Sequence, residues 1–331
     1  MNRVSSSIKW NDKVKLILSD VDETIADIYT KATQDMIYEL NSIVEQNRVL
    51  FLISGGGLQS IRERIIDLLK PEVRHKILVA HCSGAEVWGF EKGGELKSKP
   101  YYGVYEGHFT EVQKEKWREI INRLIEKFHL KTYPVQPKID FVKISEGYPL
   151  AVMLADRGPQ ITFEFINSIN LSGEQKDKIE KELGISIPLN HDTYDLRYAV
   201  LEEGTKLYKE ANLPIYMQFG GTMALDSIIK GVDKTLAVKS VLENDDIIKS
   251  YGLNRAELND DTDIEIWGDK FAQKKAGPDF QMCLAVSPKV RAIDFRDEDI
   301  TDIPNGYNIQ VWDGEKRLHE GLLEYLESRH S

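Results

Sequence analysis

The first 90 residues alternate between short apolar runs and longer segments with helical periodicity. The runs "VKLILS" (14–19), "RVLFLIS" (48–54) and "KILVAH" (76–81) have the length and composition of strands that are covered on both faces. Between them, residues 32–46 and 58–69 repeat apolar side chains at the spacing of an amphipathic helix. The order strand, helix, strand, helix, strand predicts a parallel sheet with crossover helices.

The pattern changes after residue 86. Residues 87–103 are typical of a hairpin around Gly93 and Gly94. Thr110 and Gln113 form a possible capping box at the start of an amphipathic helix. Further elements predicted before residue 230 are strands at 149–156, 160–166, 214–219 and 223–229, a helix that begins after Ser172 and ends at Gly184, and a helix from about Leu196 to Ala211. This mixture is typical of an α+β domain.

The alternation of strands and helices returns after residue 230. The predicted elements are a helix at 234–243, strands at 263–269 and 283–287, and a helix near 315–327. An α+β insertion therefore interrupts one α/β domain. We predict a Rossmann-like, parallel-sheet core formed by residues 1–88 and 231–331, with an inserted domain at 89–230.

Charge and composition narrow the possible partners. The chain has 331 residues and a formal net charge of −11, with acidic and basic residues interleaved. Because a nucleic acid requires a basic face, we expect no nucleic-acid partner. A small anionic ligand remains possible, since a pocket can be locally positive in an acidic protein. "LNDDTD" (258–263) is acidic, and we interpret it as a solvated loop in preference to a metal site.

Cysteine usage and hydropathy point to a cytoplasmic protein. Cys82 and Cys283 lie far apart without metal-ligand spacing, which indicates two thiols in a reducing compartment. The amino terminus has no apolar signal core, and no apolar run approaches the length of about 18 residues that a membrane span requires. We therefore expect a cytoplasmic location, no membrane partner, and a monomer or homodimer.

Polar residues that could carry chemistry follow the predicted strands of the core. Asp20 and Asp22 follow the first strand, Ser54 ends the second, and Asp269 ends a late one. The carboxyl ends of parallel strands meet at one edge of a sheet, so these side chains could converge on one crevice. Lys234 begins the helix after the insertion and could reach the same place.

These residue types are the ones that hydrolysis of a phosphate ester requires. One carboxylate can attack phosphorus, and a second can protonate the leaving oxygen and then activate water. A divalent cation such as Mg²⁺ would offset the repulsion between carboxylates and phosphate. A hydroxyl, backbone N–H groups and a lysine would hold the remaining oxygens. Taken singly, Ser54 could be a helix cap, the glycines at 55–57 a tight turn, and Lys234 a solvated lysine.

Four stretches resemble the motifs of the haloacid dehalogenase superfamily of phosphotransferases. In chain order they are "LILSDVDETIAD" (16–27), "FLISGG" (51–56), "GVDKTLAV" (231–238) and "IWGDKFAQKKAGPDFQM" (266–282). The resemblance implies Asp20 as the nucleophile and Asp22 as the acid–base. One residue departs from the first motif, because Glu23 stands where the family usually has glycine.

The same resemblance implies the groups that bind phosphate and metal. Ser54, Gly55 and Lys234 match the family's phosphate-binding positions. The implied Mg²⁺ ligands are Asp20, the backbone carbonyl of Asp22, Asp269 and Asp279.

The insertion lies between the second and third motifs, where Cof-type and other sugar-phosphate phosphatases carry a large α/β cap. Trehalose- and sucrose-phosphate phosphatases and eukaryotic-type phosphomannomutases share this arrangement. "FGGTMALDSIIKGVDK" (219–234) resembles the segment that ends the phosphomannomutase cap, including its glycine pair. This implies Asp226 as a substrate-binding residue of the cap; the alternative is a polar residue on the exposed face of a strand.

Together the motifs imply a hydrolase: a Mg²⁺-dependent phosphatase that acts on a small phosphorylated metabolite, a sugar phosphate, through an aspartyl-phosphate intermediate. A hexose phosphomutase with the same nucleophile is the first alternative. A catalytically silent binding or regulatory homologue is the second, although such a protein has no need of two carboxylates that repel each other.

Overall fold

A computed structural model describes residues 7–28, 30–190, 192–220, 223–272, 277–297 and 302–330. The strands in these ranges are β1 (Leu16–Ser19), β2 (Val49–Ile53), β3 (Ile77–His81), β4 (Glu86–Gly89), β5 (Tyr102–Gly103), β6 (Lys131–Tyr133), β7 (Ala151–Asp156), β8 (Gln160–Glu164), β9 (Leu189–Asn190), β10 (Thr193–Tyr194), β11 (Ile215–Gly220), β12 (Ala224–Ile229), β13 (Ile264–Gly268), β14 (Arg291–Asp294) and β15 (Ile309–Val311).

The α-helices of the same ranges are α1 (Gln34–Glu45), α2 (Leu58–Arg64), α3 (Pro71–Arg74), α4 (Val104–His108), α5 (Glu111–Lys127), α6 (Lys138–Ser145), α7 (Gly173–Leu183), α8 (Leu196–Glu210), α9 (Lys234–Leu242), α10 (Asp245–Ser250), α11 (Phe280–Cys283) and α12 (Leu318–Glu327). None of these helices combines the length and the apolar character that a membrane span requires.

Internal contacts divide the chain into two compact units. The first comprises Met1–Gly103 and Val232–Ser331, and the second is Val104–Gly231. The sheet of the first unit has the strand order β15-β14-β13-β1-β2-β3-β4-β5. Its strands from β15 to β3 are parallel, whereas β4 and β5 are antiparallel additions at one edge. This confirms the predicted α/β fold with a Rossmann-like parallel sheet.

Apolar side chains cover both faces of this sheet. Successive residues of a strand point to opposite faces, so Leu16 and Leu18 pack with α9 while Ile17 packs with α1. Full burial of such a side chain contributes roughly 1.5–3 kcal/mol. Burial on two faces explains why the strands appear in the sequence as nearly continuous apolar runs.

The second unit has a five-stranded sheet in the order β11-β12-β8-β7-β6, in which only β6 and β7 are parallel to each other. Two helices are fastened to one strand of it by a buried hydrogen-bond network. Trp117 of α5 donates its Nε1–H to Ser227 Oγ of β12 at 2.8 Å, and Tyr208 of α8 hydrogen-bonds the same oxygen at 2.8 Å. The predicted capping box at Thr110 and Gln113 is present at the start of α5.

The strand predicted at residues 283–287 is wrong. Cys283 is the last residue of α11, and the next strand is β14. Met282 and Cys283 are buried in the apolar layer on one face of the sheet. A run of four or five apolar residues looks the same in a buried helical turn as in a strand, so periodicity could not separate them.

The hairpin predicted at residues 87–103 belongs to the first unit and not to the insertion. Val87 of β4 pairs with Ala80 of β3 on one side and with Tyr102 of β5 on the other. The edge of β3 otherwise leaves backbone N–H and C=O groups without partners, and the hairpin satisfies them. The first segment of this unit therefore ends at residue 103, whereas the sequence analysis placed its end at residue 88.

Candidate active site

Asp20 lies directly beyond β1, where its backbone still belongs to the sheet. Its N–H donates to the carbonyl of Trp267 in the neighbouring strand at 2.9 Å, and the residue is 7% exposed. Its Oδ1 accepts from Lys234 Nζ at 2.5 Å, and its Oδ2 accepts from Thr24 Oγ1 at 3.4 Å. Burial raises the pKa of Asp20, and repulsion by Asp279 adds to this although Lys234 opposes it.

Lys234 is the first residue of α9 and is not a surface residue. The residue is 3% exposed, and its Nζ bridges Asp20 Oδ1 at 2.5 Å and Asp279 Oδ1 at 2.8 Å. Burial alone would lower the pKa of this amine, but the two carboxylates outweigh burial and raise it. Lys234 therefore stays a cation at the centre of a negatively charged cluster.

Three carboxylates form a buried acidic group at this edge of the sheet. Asp20, Asp269 and Asp279 each place one oxygen within 4.8 Å of the others. Burial raises the pKa of Asp269 to about 7, with a further contribution from Asp279. Hard oxygen donors this close together suit Mg²⁺, and a cation would relieve their mutual repulsion. The donor set therefore fits the ion that the motifs imply.

Asp279 is held by the backbone as well as by Lys234. Its Oδ2 accepts from the N–H groups of Asp269 at 3.0 Å and Lys270 at 2.8 Å, and the residue is fully buried. Of the fourth motif, residues 273–276 lie outside the described part of the chain. The structure thus brings together the two carboxylates of this motif, ten positions apart in sequence, on the acidic group.

Asp22 lies beside this acidic group, and its carboxylate faces other partners. Its Oδ2 accepts from Ser54 Oγ at 2.9 Å, and its Oδ1 accepts from Arg64 Nη1 at 2.7 Å. The side chain of Asp22 is 28% exposed. Arg64 was not among the residues predicted from sequence. The assignment of the Asp22 carbonyl to a metal stays a prediction.

The turn after β2 presents the Ser54 hydroxyl. Ser54 continues the β2–β3 pairing through its N–H to the Ala80 carbonyl at 3.0 Å, and its Oγ accepts from the Gly56 N–H at 2.8 Å. A Cβ on Gly56 would lie 3.1 Å from that Oγ, whereas a Cβ on Gly55 would make only an ordinary contact at 3.6 Å with Ser83. A side chain at residue 56 would therefore crowd the Ser54 hydroxyl, whereas one at Gly55, the predicted phosphate-binding residue, would not.

Asp226 lies in the second unit, on β12. Its Oδ1 accepts from Thr162 Oγ1 at 2.6 Å and from Gln160 Nε2 at 3.1 Å, and burial raises its pKa. Gln160 Oε1 is buried and has no hydrogen-bond partner in the described ranges. A Cβ on Gly220 would lie 2.2 Å from Asp226 Oδ2, which explains the first glycine of the predicted pair. The second, Gly221, lies outside the described residues.

Comparison by sequence finds no matching family model and no matching curated protein. Comparison by structure finds the C-terminal domain of trehalose-6-phosphate phosphatase from C. albicans, with a TM-score of 0.57 and 12% identity over 96% of this chain and 94% of that chain. The truncated, IMP-bound IMP-nucleotidase of Plasmodium falciparum gives a TM-score of 0.49 and 12% identity over 96% of this chain and 68% of its own.

A third similar structure, SMU.1108c from Streptococcus mutans UA159, gives a TM-score of 0.47 and 16% identity over 95% of this chain and 99% of that one. The similarity to the C. albicans domain is the one from which we infer the fold, because it extends over nearly all of both chains with a TM-score above one half. The chain therefore shares the overall fold of that phosphatase domain, and this agrees with the fold that the four motifs imply.

Proposed function

We propose that this protein is a Mg²⁺-dependent phosphomonoesterase that releases phosphate from a small phosphorylated metabolite, a sugar phosphate. The observation that carries the proposal is the buried bridge from Lys234 to Asp20 and Asp279, with Asp269 in the same acidic group. Burying this many charges is costly unless they are paired. Lys234 offsets part of the negative charge of the cluster, and a divalent cation among the carboxylates would offset the rest, so that a phosphate dianion could enter.

In the proposed reaction, a carboxylate oxygen of Asp20 attacks phosphorus and the bond from phosphorus to the ester oxygen breaks. Asp22, which enters the cycle as the carboxylic acid, gives its proton to the departing oxygen, which leaves as the alcohol. Asp22 then takes a proton from water, the hydroxide attacks the aspartyl phosphate, and the bond between phosphorus and Asp20 breaks. Inorganic phosphate leaves, and both carboxyl groups return to their starting states.

The other groups hold the phosphoryl oxygens and limit charge repulsion. Lys234 offsets the charge on the transferred group, and Ser54 Oγ donates to one of its oxygens. Mg²⁺, held by Asp20, Asp269, Asp279 and the carbonyl of Asp22, would supply further positive charge against the carboxylates and the phosphate.

Asp226 is proposed to take part in substrate selection. Its carboxylate accepts from Thr162 and Gln160 on the adjacent strand, and the buried Gln160 Oε1 lacks a partner in the described ranges. Carboxylate oxygens such as those of Asp226 accept hydrogen bonds from hydroxyl groups, and a sugar phosphate carries several hydroxyl groups. This chemistry favours a polyhydroxylated substrate over an apolar one.

The test is release of inorganic phosphate from a panel of phosphorylated metabolites, with Mg²⁺ and with the ion removed by chelation. We expect the parent protein to hydrolyse at least one sugar phosphate and to require Mg²⁺. Asp20→Asn should lose this activity because an amide is a poor nucleophile. Asp35→Asn, an exposed change in the first turn of α1, serves as the matched control and should retain it. Undiminished turnover by Asp20→Asn would contradict the assignment of the nucleophile.

A further inference from the structure

Arg64 is a partly buried cation at the candidate site that neither the motifs nor the proposed reaction uses. It is the last residue of α2, and its side chain is 12% exposed. Each nitrogen of its guanidinium group has a partner. Nη1 donates to Asp22 Oδ1 at 2.7 Å, Nη2 to the carbonyl of Asp27 at 2.5 Å, and Nε to the carbonyl of Thr30 at 2.9 Å.

We propose that Arg64 is a positioning residue that fixes the carboxylate of Asp22 for proton transfer, an inference that rests on the proposed function. The guanidinium group is planar and rigid, so its donors keep fixed directions relative to one another. Two of those donors are anchored on backbone carbonyls, at Asp27 and Thr30. The remaining nitrogen, Nη1, therefore points at one oxygen of Asp22. The backbone of the loop that follows β1 thus fixes the orientation of the Asp22 carboxylate through Arg64.

The need for Arg64 arises when phosphate binds. Ser54 Oγ carries a single proton, and it donates that proton to Asp22 Oδ2 at 2.9 Å. In the proposed reaction the Ser54 hydroxyl donates its hydrogen bond to a phosphoryl oxygen instead. Ser54 then no longer orients the carboxylate of Asp22. Of the two residues that donate to this carboxylate, Ser54 and Arg64, Arg64 then still does so. A carboxylate that rotates away would misplace its proton, and a misplacement of about 1 Å can cost about 10²-fold in rate.

A purely structural role for Arg64 makes a different prediction. The side chain of Arg64 also joins the end of α2 to the loop, through its hydrogen bonds to the carbonyls of Asp27 and Thr30. If Arg64 only stabilises the loop, its removal should slow all substrates alike. If it positions Asp22, its removal should matter most where the leaving group needs a proton, since an alkoxide needs one and 4-nitrophenolate does not.

The experiment compares two substrates by kcat/KM, which reports the steps up to the first irreversible one and therefore includes departure of the leaving group. The substrates are 4-nitrophenyl phosphate and the alkyl phosphate that the parent protein hydrolyses fastest in the panel. For Arg64→Ala we expect kcat/KM to fall about 10- to 100-fold on the alkyl phosphate and less than about threefold on the aryl phosphate. Arg64→Lys should recover part of the loss, because an ammonium group reaches one partner but cannot reproduce the fork.

Two controls separate the outcomes. Arg62→Ala, on the same helix, removes an arginine that pairs with Asp67, and it should leave both substrates unchanged. In an Asp22→Asn background, Arg64→Ala should cause no further loss on the alkyl phosphate, because the two residues act as one unit.

Equal losses on the two substrates, or no loss on the alkyl phosphate, would overturn the positioning role while leaving the proposed function intact. If Arg64→Ala does not fold, Arg64→Lys decides the question by the same ratio of losses. A parent protein that releases phosphate from no phosphomonoester, with Mg²⁺ present, overturns the proposed function, and the inference about Arg64 falls with it.

Discussion

Glu23 adopts a φ of 65°, in the left-handed region where the Cβ of an L-residue meets the neighbouring carbonyl. Its N–H donates to the carbonyl of Ala26 at 2.8 Å. This hydrogen bond closes the turn that Glu23 begins and Ala26 ends. The conformation explains why the resembled motif usually has glycine here. It also means that Glu23 is strained where glycine would be relaxed, at a cost of about 1–2 kcal/mol.

Glu23→Gly should therefore stabilise the protein. Relief of the left-handed strain outweighs the larger entropy that glycine loses on folding, so we expect a net gain of about 0.5–1 kcal/mol. The free energy of unfolding in denaturant measures it. Glu23→Ala is the matched control, because it removes the same carboxylate but keeps a Cβ at this φ. Equal stability of the two variants would show that the carboxylate, and not the backbone, determines the effect.

The strand-end residues of the site could be predicted from sequence, whereas Arg64 could not. Asp20, Ser54 and Asp269 each follow an apolar run, and parallel strands bring such ends together. Arg64 stands among other charged residues on a short helix, where an arginine is normally solvated. Its role depends on where α2 ends relative to the loop that follows β1, and no local pattern encodes that distance.

At the scale of an element, β13 ends where it does because Asp279 packs against its last residue. A Cβ on Gly268 would lie 2.6 Å from Asp279 Oδ2. That oxygen accepts from the two N–H groups that follow the strand. The carboxylate of Asp279 thus satisfies two backbone N–H groups that would otherwise need carbonyl partners on a neighbouring strand. Glycine at residue 268 leaves room for this carboxylate.

Gly268→Ala should displace Asp279 and destabilise the fold by about 1–3 kcal/mol, the usual cost of overpacking. Denaturant unfolding provides the measurement. Gly173→Ala at the start of α7 is the control, since a Cβ there meets no atom within 4 Å and alanine favours a helix. A Gly268→Ala variant as stable as the parent would mean that the carboxylate of Asp279 can move away at little cost.

Most elements of the core could be predicted from periodicity, and the exceptions have physical causes. β1, β2 and β3 are buried throughout and consist almost entirely of apolar residues, so they can be identified, and their crossover helices have clear apolar faces. α11 and β14 are each four residues long. One turn of helix has no period to detect, and the tertiary contacts of such short pieces decide their conformation.

At the scale of the whole molecule, the predicted site residues are divided between the two units. Asp20, Ser54, Lys234, Asp269 and Asp279 belong to the first unit, and Asp226 belongs to the second. The chemistry of the first cluster could be derived from sequence because each residue type has a defined role at phosphorus. The substrate could not, since recognition of a sugar depends on the shape of a pocket and on the placement of its hydrogen-bonding groups.

Asp226→Ala should change which substrate is preferred. We expect kcat/KM for the best sugar phosphate to fall roughly 10- to 100-fold, the equivalent of a lost hydrogen bond to a charged group, with 4-nitrophenyl phosphate affected less than about threefold. Asp177→Ala, an exposed change on α7, is the control and should leave both values unchanged. Equal losses on the two substrates would instead place Asp226 in the chemical step.

The pairing of β1 with β13 has a consequence for biosynthesis. Leu16 lies opposite Ile264, so β1 is synthesised almost 250 residues before the strand with which it pairs. At about 5–20 residues per second, this delay is roughly 12–50 s. During that time β1 can pair with β2, but its other edge has no partner, and an open strand edge favours aggregation and binding by chaperones. A nascent or prematurely terminated chain that stops before β13 therefore has the carboxylate of Asp20 but no assembled centre, and it is the form most in need of quality control.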